Sequence, residues 1–115
     1  MTHDRLPAEV EATSLVRRVA AEGGFATILR RGDPHSGALL LVITHRGRHY
    51  GCLERVLDLS GGGYRWQSCG PSESAGSAEV GDFLARRARF DPDTWAIELD
   101  IAAPERFIAE TTESG

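Results

Sequence analysis

Lysine is absent from this sequence of 115 residues, and all 13 basic residues are arginine. The commonplace cause is GC-rich coding. The chemical consequence is that no side-chain amine is available for Schiff-base chemistry or for the phosphate-cradling lysine of a Walker loop. Any anion must be held by guanidinium or backbone N–H groups. Cysteine is scarce as well: there are two, Cys52 and Cys69. A small secreted domain stapled by disulfides carries more, so the two thiols are expected to be reduced and not bonded to each other. Paired C-x-x-C spacing is missing, which removes the zinc ribbon from consideration. No apolar run approaches the ~18 residues of a membrane span. The longest, Ala38 to Ile43, has the length of a strand. The first residues, Met-Thr-His-Asp-Arg-Leu-Pro, lack the apolar centre of a signal peptide. A cytoplasmic protein without membrane contact is therefore expected. Positive charge is in short supply too. The formal net charge is −4, whereas a general nucleic-acid binder needs a net basic face.

What is present is ordinary globular material. Hydrophobic residues at 41% and charged residues at 26% match an average soluble domain. The length gives one domain, 1–115, with ends before about residue 6 and after about residue 110 expected to fray. Ala8-Glu9-Val10-Glu11-Ala12 alternates and predicts a short strand. Thr13 or Ser14 then caps a helix with Leu15, Val16, Val19 and Ala20 as its apolar stripe. Gly23-Gly24 ends it. Phe25 to Arg31 and Ala38 to His45 read as strands joined by the turn-rich loop Gly32 to Gly37. A strand apolar at every position from Ala38 to Ile43 is covered on both faces. It should be central, with Leu39, Leu41 and Ile43 on one side and Leu40 and Val42 on the other. Residues 48–54 continue as a strand, while 53–59 suits a strand or a helical turn. Gly61-Gly62-Gly63 reads as a hairpin connection leading to a strand from Tyr64 to Cys69. Ser77 caps a second helix whose apolar face is Val80, Phe83, Leu84 and Ala88. Asp91-Pro92-Asp93 stops it. The last strand carries Trp95, Ile97, Leu99 and Ile101 inward, with Glu98 and Asp100 outward.

The predicted class is α+β, in the order β-α-β-β-β-β-α-β. The expected architecture is a mainly antiparallel sheet of five to six strands with two helices packed on one face. Two helices on one face leave Leu40 and Val42 in need of cover. A curled sheet, the segment 53–59 or a homodimer through that face would supply it.

Several segments together resemble a known family. They are Leu15-Val16-Arg17-Arg18, Gly24-Phe25-Ala26, Leu29-Arg30-Arg31-Gly32-Asp33-Pro34 and Gly37-Ala38. Later come Arg86-Arg87-Ala88-Arg89-Phe90-Asp91-Pro92-Asp93-Thr94-Trp95 and the strand to Asp100. In this order and spacing the chain resembles the bacterial family catalogued as domain of unknown function 1491, from roughly Leu6 to Glu110 on a one-domain reading. The resemblance implies a small cytoplasmic bacterial protein. It implies no activity and carries over no catalytic residue.

The residues themselves offer a few chemistries. Arg30 and Arg31 beside the Gly32–Gly37 loop can bind an anion; the plainer account is a hairpin loop in which Asp33 bonds its own backbone. Asp91 and Asp93 can hold a metal or act as acid and base, or simply form a helix-stop turn that aims Trp95 into the core. His45, His49 and Cys52 are residue types that bind zinc, and either cysteine with His49 or His35 would make a nucleophile pair. No local signature supports either. Tyr50, Tyr64 and Trp66 among arginines can stack RNA bases if they lie on an open sheet face. Arg87 falls near the middle of the apolar arc of the second helix when residues are set at 100° intervals. A guanidinium there must be paired or snorkelling. A charge network with Arg30 or Arg31 and the carboxylates of Asp33, Asp91 or Asp93 would clamp the first hairpin loop to the helix stop.

The resulting reading is a non-enzymatic cytoplasmic binding or interaction module, with no cofactor and no metal, and with a protein partner in preference to nucleic acid. Its candidate binding residues are Arg30, Arg31, Asp33, Arg87, Asp91 and Asp93. The alternatives are an RNA- or anion-binding protein using the arginine clusters, or a small enzyme with a carboxylate/histidine site.

Overall fold

The structure, a computed structural model, describes residues 6–112. The expectations for the first five and last three residues lie outside the described residues. The elements run α1 (Ala8–Ala21), β1 (Phe25–Arg30), β2 (Leu39–His45), β3 (Arg48–Leu57), β4 (Tyr64–Cys69), α2 (Ser77–Phe90), β5 (Trp95–Asp100) and α3 (Pro104–Thr112).

The predicted opening strand is the first turn of α1. Ala8, Ala12, Leu15 and Val19 are buried at helical spacing, and Val10, the residue on which the alternation rested, is 46% exposed. Neither Thr13 nor Ser14 caps the helix. Thr13 sits inside it with its hydroxyl bonded to the Glu9 carbonyl, and the cap position is Pro7. The free N–H groups of the first turn go instead to the loop between β1 and β2, which is not a hairpin because β5 lies between those strands: Ala8 donates to the His35 carbonyl and Glu9 to that of Pro34. Gly23, at φ +90°, ends the helix as expected.

The sheet has five strands in the order β1-β5-β2-β3-β4. It is mixed. β5 is antiparallel to β1 but parallel to β2, because the long connection through α2 returns the chain along the direction of β2. β2 is central, as its unbroken apolar character requires, and Leu39 to Ile43 are all buried. The segment 53–59 resolves as strand to Leu57, followed by a turn in which Asp58 accepts from Ser60 and Gly61 N–H groups.

The two expected helices pack on opposite faces. α1 covers Leu39, Leu41, Ile43, Leu53, Ile97 and Leu99, joined on that side by Phe107 and Ile108 of α3. The sequence reading did not foresee α3. α2 lays Val80, Phe83 and Leu84 on Leu40, Val42 and Cys52. It starts at Ser77 with Gly76 at the cap. The chain's own α2 therefore supplies the cover for which a homodimer was invoked.

Candidate functional site

The candidate residues divide into a joint and a separate ion pair. At the joint, the loop after β1 meets the turn before β5. The Asp33 N–H donates to the Asp93 carbonyl at 3.0 Å. The Asp33 carbonyl accepts from the Trp95 indole at 2.7 Å. Arg30 donates to the Pro92 carbonyl at 3.4 Å. The Asp33 carboxylate accepts from the His35 and Ser36 N–H groups and the Ser36 hydroxyl, and these bonds, the Ser36 N–H first, hold it below the usual carboxylate range. Asp91 accepts from the Asp93 N–H at 3.2 Å. Arg31 lies over the Trp95 ring and bonds Glu9 at 3.0 Å, both partners largely exposed. A clamp between the two loops exists, and its acceptors are the backbone carbonyls of Asp33, Pro92 and Asp93 rather than carboxylates. Arg87 takes no part in it. Its guanidinium bonds Glu54 of β3 at 3.0 Å, and Glu54 also accepts from Gln67.

His45 and His49 do not face each other. A bulge between Ile43 and Thr44 sets His45 opposite Arg48 and Thr44 opposite His49. No group of three or more metal-ligating residues occurs among the described residues. Cys52 and Cys69 are free, as expected, although they are cross-strand neighbours. Burial pushes the Cys52 thiol up to about 12 and the Cys69 thiol up to about 11, which deprives both of thiolate at neutral pH. Arg55 stacks over both Tyr64 and Trp66 and pairs with Glu11 of α1. Trp66 packs against the core on the α1 side, so these rings are not an open stacking platform.

A cavity lies on the α2 face, where the helix packs on β2 and β3 and leaves Leu29 of β1 half-exposed. It holds about 220 Å³. Its floor is Val42 and Thr44 of β2, Glu98 of β5 and Leu29 of β1, and its wall is Ser77, Val80, Gly81 and Leu84 of α2. His49 of β3 closes one end with Gly47 and Ala75. Glu98 pairs with Val42 and His49 with Thr44 in register, so Glu98, Thr44 and His49 lie on three adjacent strands. The Thr44 hydroxyl reaches Glu98 at 3.4 Å. Glu98 has no cationic partner among the described residues. His49 is only 6% exposed. Its Nε2 meets the Pro71 carbonyl at 3.0 Å, and its Nδ1, itself shielded from solvent, meets no hydrogen-bond partner among the described residues. No side chain caps the amino end of α2, which opens here. A larger groove of about 330 Å³ between α1 and α3 is lined by Arg18, Glu22, Arg106 and Glu110. Arg106 and Glu110 are exposed and bonded to each other, as on a solvated seam.

The sequence does not single out Thr44; it marks Ser77 only as a helix cap, Glu98 only as an outward-facing strand residue, and His49 only as a metal ligand or the partner of a cysteine nucleophile. Polar residues interrupting apolar strands at Thr44 and Glu98 were the available signal.

A model of the family described as "Protein of unknown function (DUF1491)" matches residues 6–109. The crystal structure of a DUF1491 family protein from Caulobacter crescentus CB15 is similar, with 28% identity, a TM-score of 0.72, and 84% of this chain and 89% of that chain covered. An NMR structure of a DUF1491 family protein from the same organism has 28% identity and a TM-score of 0.74, covering 95% and 97%. The solution structure of an A. tumefaciens protein has 26% identity and a TM-score of 0.69, covering 86% and 88%. No protein with a curated description matches.

Proposed function

The chain belongs to the DUF1491 family, whose function is unknown, and from that premise we propose that it is a non-enzymatic cytoplasmic binding module whose binding surface is the cleft beside α2. The observation that carries this is the buried His49, whose Nδ1 meets no partner among the described residues, standing across Thr44 from a Glu98 that has no cationic partner among them. Buried polar atoms without partners are uncommon in folded proteins, and a cavity with apolar walls and a few converging polar groups is what small ligands occupy. The joint residues Arg30, Arg31, Asp33, Asp91 and Asp93, and Arg87 with Glu54, serve under this proposal to hold the two walls of the module in place. Nucleic acid fits less well, since the net charge is −4 and Arg55 covers the aromatic pair.

The test is affinity capture from the native cell with the intact chain and with Leu29→Arg, which places a charge at the half-exposed rim of the cleft. Proteins, small molecules and nucleic acid that co-purify are identified by mass spectrometry. The proposal expects an occupant that the native chain retains and the variant loses. An occupant retained equally by both, or one that the protein converts to a product, refutes it.

A further inference from the structure

We infer that two copies of this chain associate through β1, the free edge of the sheet, pairing antiparallel about Thr27 so that one sheet runs through both. The inference goes beyond the reading of the cleft as a binding surface and does not depend on it. β1 ends the sheet beside β5, and none of its residues is buried. From Phe25 to Leu29 it carries neither charge nor proline, the devices that keep an edge strand from pairing. Its one blunting feature is the bulge between Ile28 and Arg30, which leaves Phe25 to Ile28 in regular register with β5. The opposite edge, β4, carries Arg65 at its second position. Phe25 is 75% exposed and Leu29 46%.

The hydrogen bonds of β5 fix which groups of β1 are free. Trp95 donates to the Ala38 carbonyl and Ile101 to that of Thr44, so the odd-numbered residues of β5 turn their main chain to β2. Ala96, Glu98 and Asp100 turn theirs to β1, where they stand opposite Arg30, Thr27 and Phe25. Ala26 and Ile28 therefore point their N–H and C=O groups away from the sheet. A two-fold axis at Thr27 sets Ala26 of each copy against Ile28 of the other, and each such pair exchanges two bonds. All the free groups of Ala26 and Ile28 are then satisfied. Ala26 and Ile28 pack on the α1 side, so alternation puts Phe25 on the α2 side, where Leu29 stands at the rim of the cleft. The same axis brings Phe25 of one copy to Leu29 of the other, apolar on apolar. Moving the axis to Ala26 would set Gly24 against Ile28, and moving it to Ile28 would run the pairing into the bulge. Charge agrees as well. Arg30 is carried to the Gly24 end of the second copy, beside Glu22, which is exposed and makes no ion pair among the described residues. A strand of six residues a side makes a small interface, at the weak and reversible end of the known range.

The full-length protein is followed by sedimentation velocity from about 10 μM to about 1 mM. The expected result is a reversible monomer–dimer equilibrium within that range. Thr27→Cys then reads the register. The two copies of residue 27 form a non-hydrogen-bonded pair, with Cα atoms about 4.5 Å apart, inside the reach of a disulfide. The two copies of residue 25 lie about 14 Å apart along the strands, well outside it. The oxidant is oxidised glutathione: two introduced thiols lose two protons and two electrons to form the disulfide, and the oxidant leaves as two molecules of reduced glutathione. Thr27→Cys is expected to form covalent dimer at least tenfold faster than Phe25→Cys. The native chain, with Cys52 buried and Cys69 partly so, is expected to form none. Ala26→Pro removes an N–H that the single chain leaves unused and that an edge strand can spare. It is expected to weaken association at least tenfold; if its circular dichroism shows it unfolded, the cross-linking pair decides alone. A native chain still monomeric at about 1 mM overturns the inference. So does a folded Ala26→Pro that dimerises as well as the native chain, or cross-linking through Phe25→Cys as fast as through Thr27→Cys. A dimer that Thr27→Cys fails to capture is built on another face and overturns it too.

Discussion

Replacing Gly32 by alanine tests the backbone joint between the loop after β1 and the turn before β5. A Cβ built on Gly32 overlaps the Asp93 carbonyl oxygen and lies 2.6 Å from the Asp93 carbonyl carbon and 2.8 Å from that of Thr94. All three are backbone atoms, so no side chain can swing aside. The turn must retreat, and the bond from the Asp33 N–H to the Asp93 carbonyl, 3.0 Å in the native chain, breaks. Overpacking of this kind costs about 1–3 kcal/mol, and the lost hydrogen bond adds about 1 kcal/mol. For a chain of this length each kcal/mol moves the melting temperature by about 4 °C. Gly32→Ala should therefore melt about 8–16 °C below the native protein by circular dichroism or calorimetry. Gly81→Ala is the matched control. A Cβ there meets nothing within 4 Å, and alanine in a helix interior is favoured by about 1 kcal/mol over glycine. It should raise the melting temperature by about 4 °C while its methyl narrows the cleft and weakens whatever binds there. If Gly32→Ala melts within about 2 °C of the native chain, the two loops are not held in contact and the account of the joint is wrong.

Arg87→Met should destabilise the fold by about 1–2 kcal/mol, between the values for exposed and buried pairs, because Glu54 is left half-buried with only Gln67; an unchanged denaturant midpoint would show that the pair contributes nothing. Neither thiol should react with iodoacetamide near pH 8 in the folded protein, while both should react in denaturant; labelling of native Cys69 at the rate of a free thiol would contradict its burial. Since both folded thiols titrate above the ordinary 9.0, at about 12 and about 11, the unfolded chain loses protons first. Stability should be level below about pH 9 on this account and decline as pH rises toward those values. Asp33 and Asp58 are both held below 3.8 by N–H and hydroxyl donors in their turns, so their share of stability is present above that value and lost as pH falls below it. Carbon-detected NMR titration showing either at or above 3.8 would count against the turn geometry.

The legible parts of the fold were those encoded within single segments. The unbroken run from Leu39 to Ile43 announced a strand covered on both faces, and the alternation from Trp95 to Leu99 announced another. Gly23-Gly24 and Asp91-Pro92 punctuated the helices where they end. The start of α1 was misread because Ala8-Glu9-Val10-Glu11-Ala12 satisfies both periods. The decision came from tertiary contact, since Ala8 and Ala12 are fully buried in the core under the helix. Pro104 at the first position of α3 is a start signal, but the apolar stripe behind it is short. The candidate site was the least legible part. Its polar row draws one residue from each of three strands, and its register depends on a bulge after Ile43. No local pattern encodes which strands become neighbours.

The position of β5 has a consequence for how the chain is made. Among the described residues β1 is an edge strand paired with β5, and the two are separated by more than sixty residues of sequence. β2 likewise lacks its second neighbour until Trp95 to Asp100 is in hand. On a ribosome, where synthesis runs at about 5–20 residues per second, the hairpins β2–β3–β4 can pair early. Meanwhile β1 and the β5-facing border of β2 stay unmatched for seconds. Such a border is an invitation to intermolecular pairing, and long-range parallel closure is intrinsically slow. A nascent chain stalled before residue 95 should accordingly be protease-sensitive in β1 and prone to aggregate, and one extended past Asp100 should not. The final quarter of the sequence thus governs when the first quarter becomes structure.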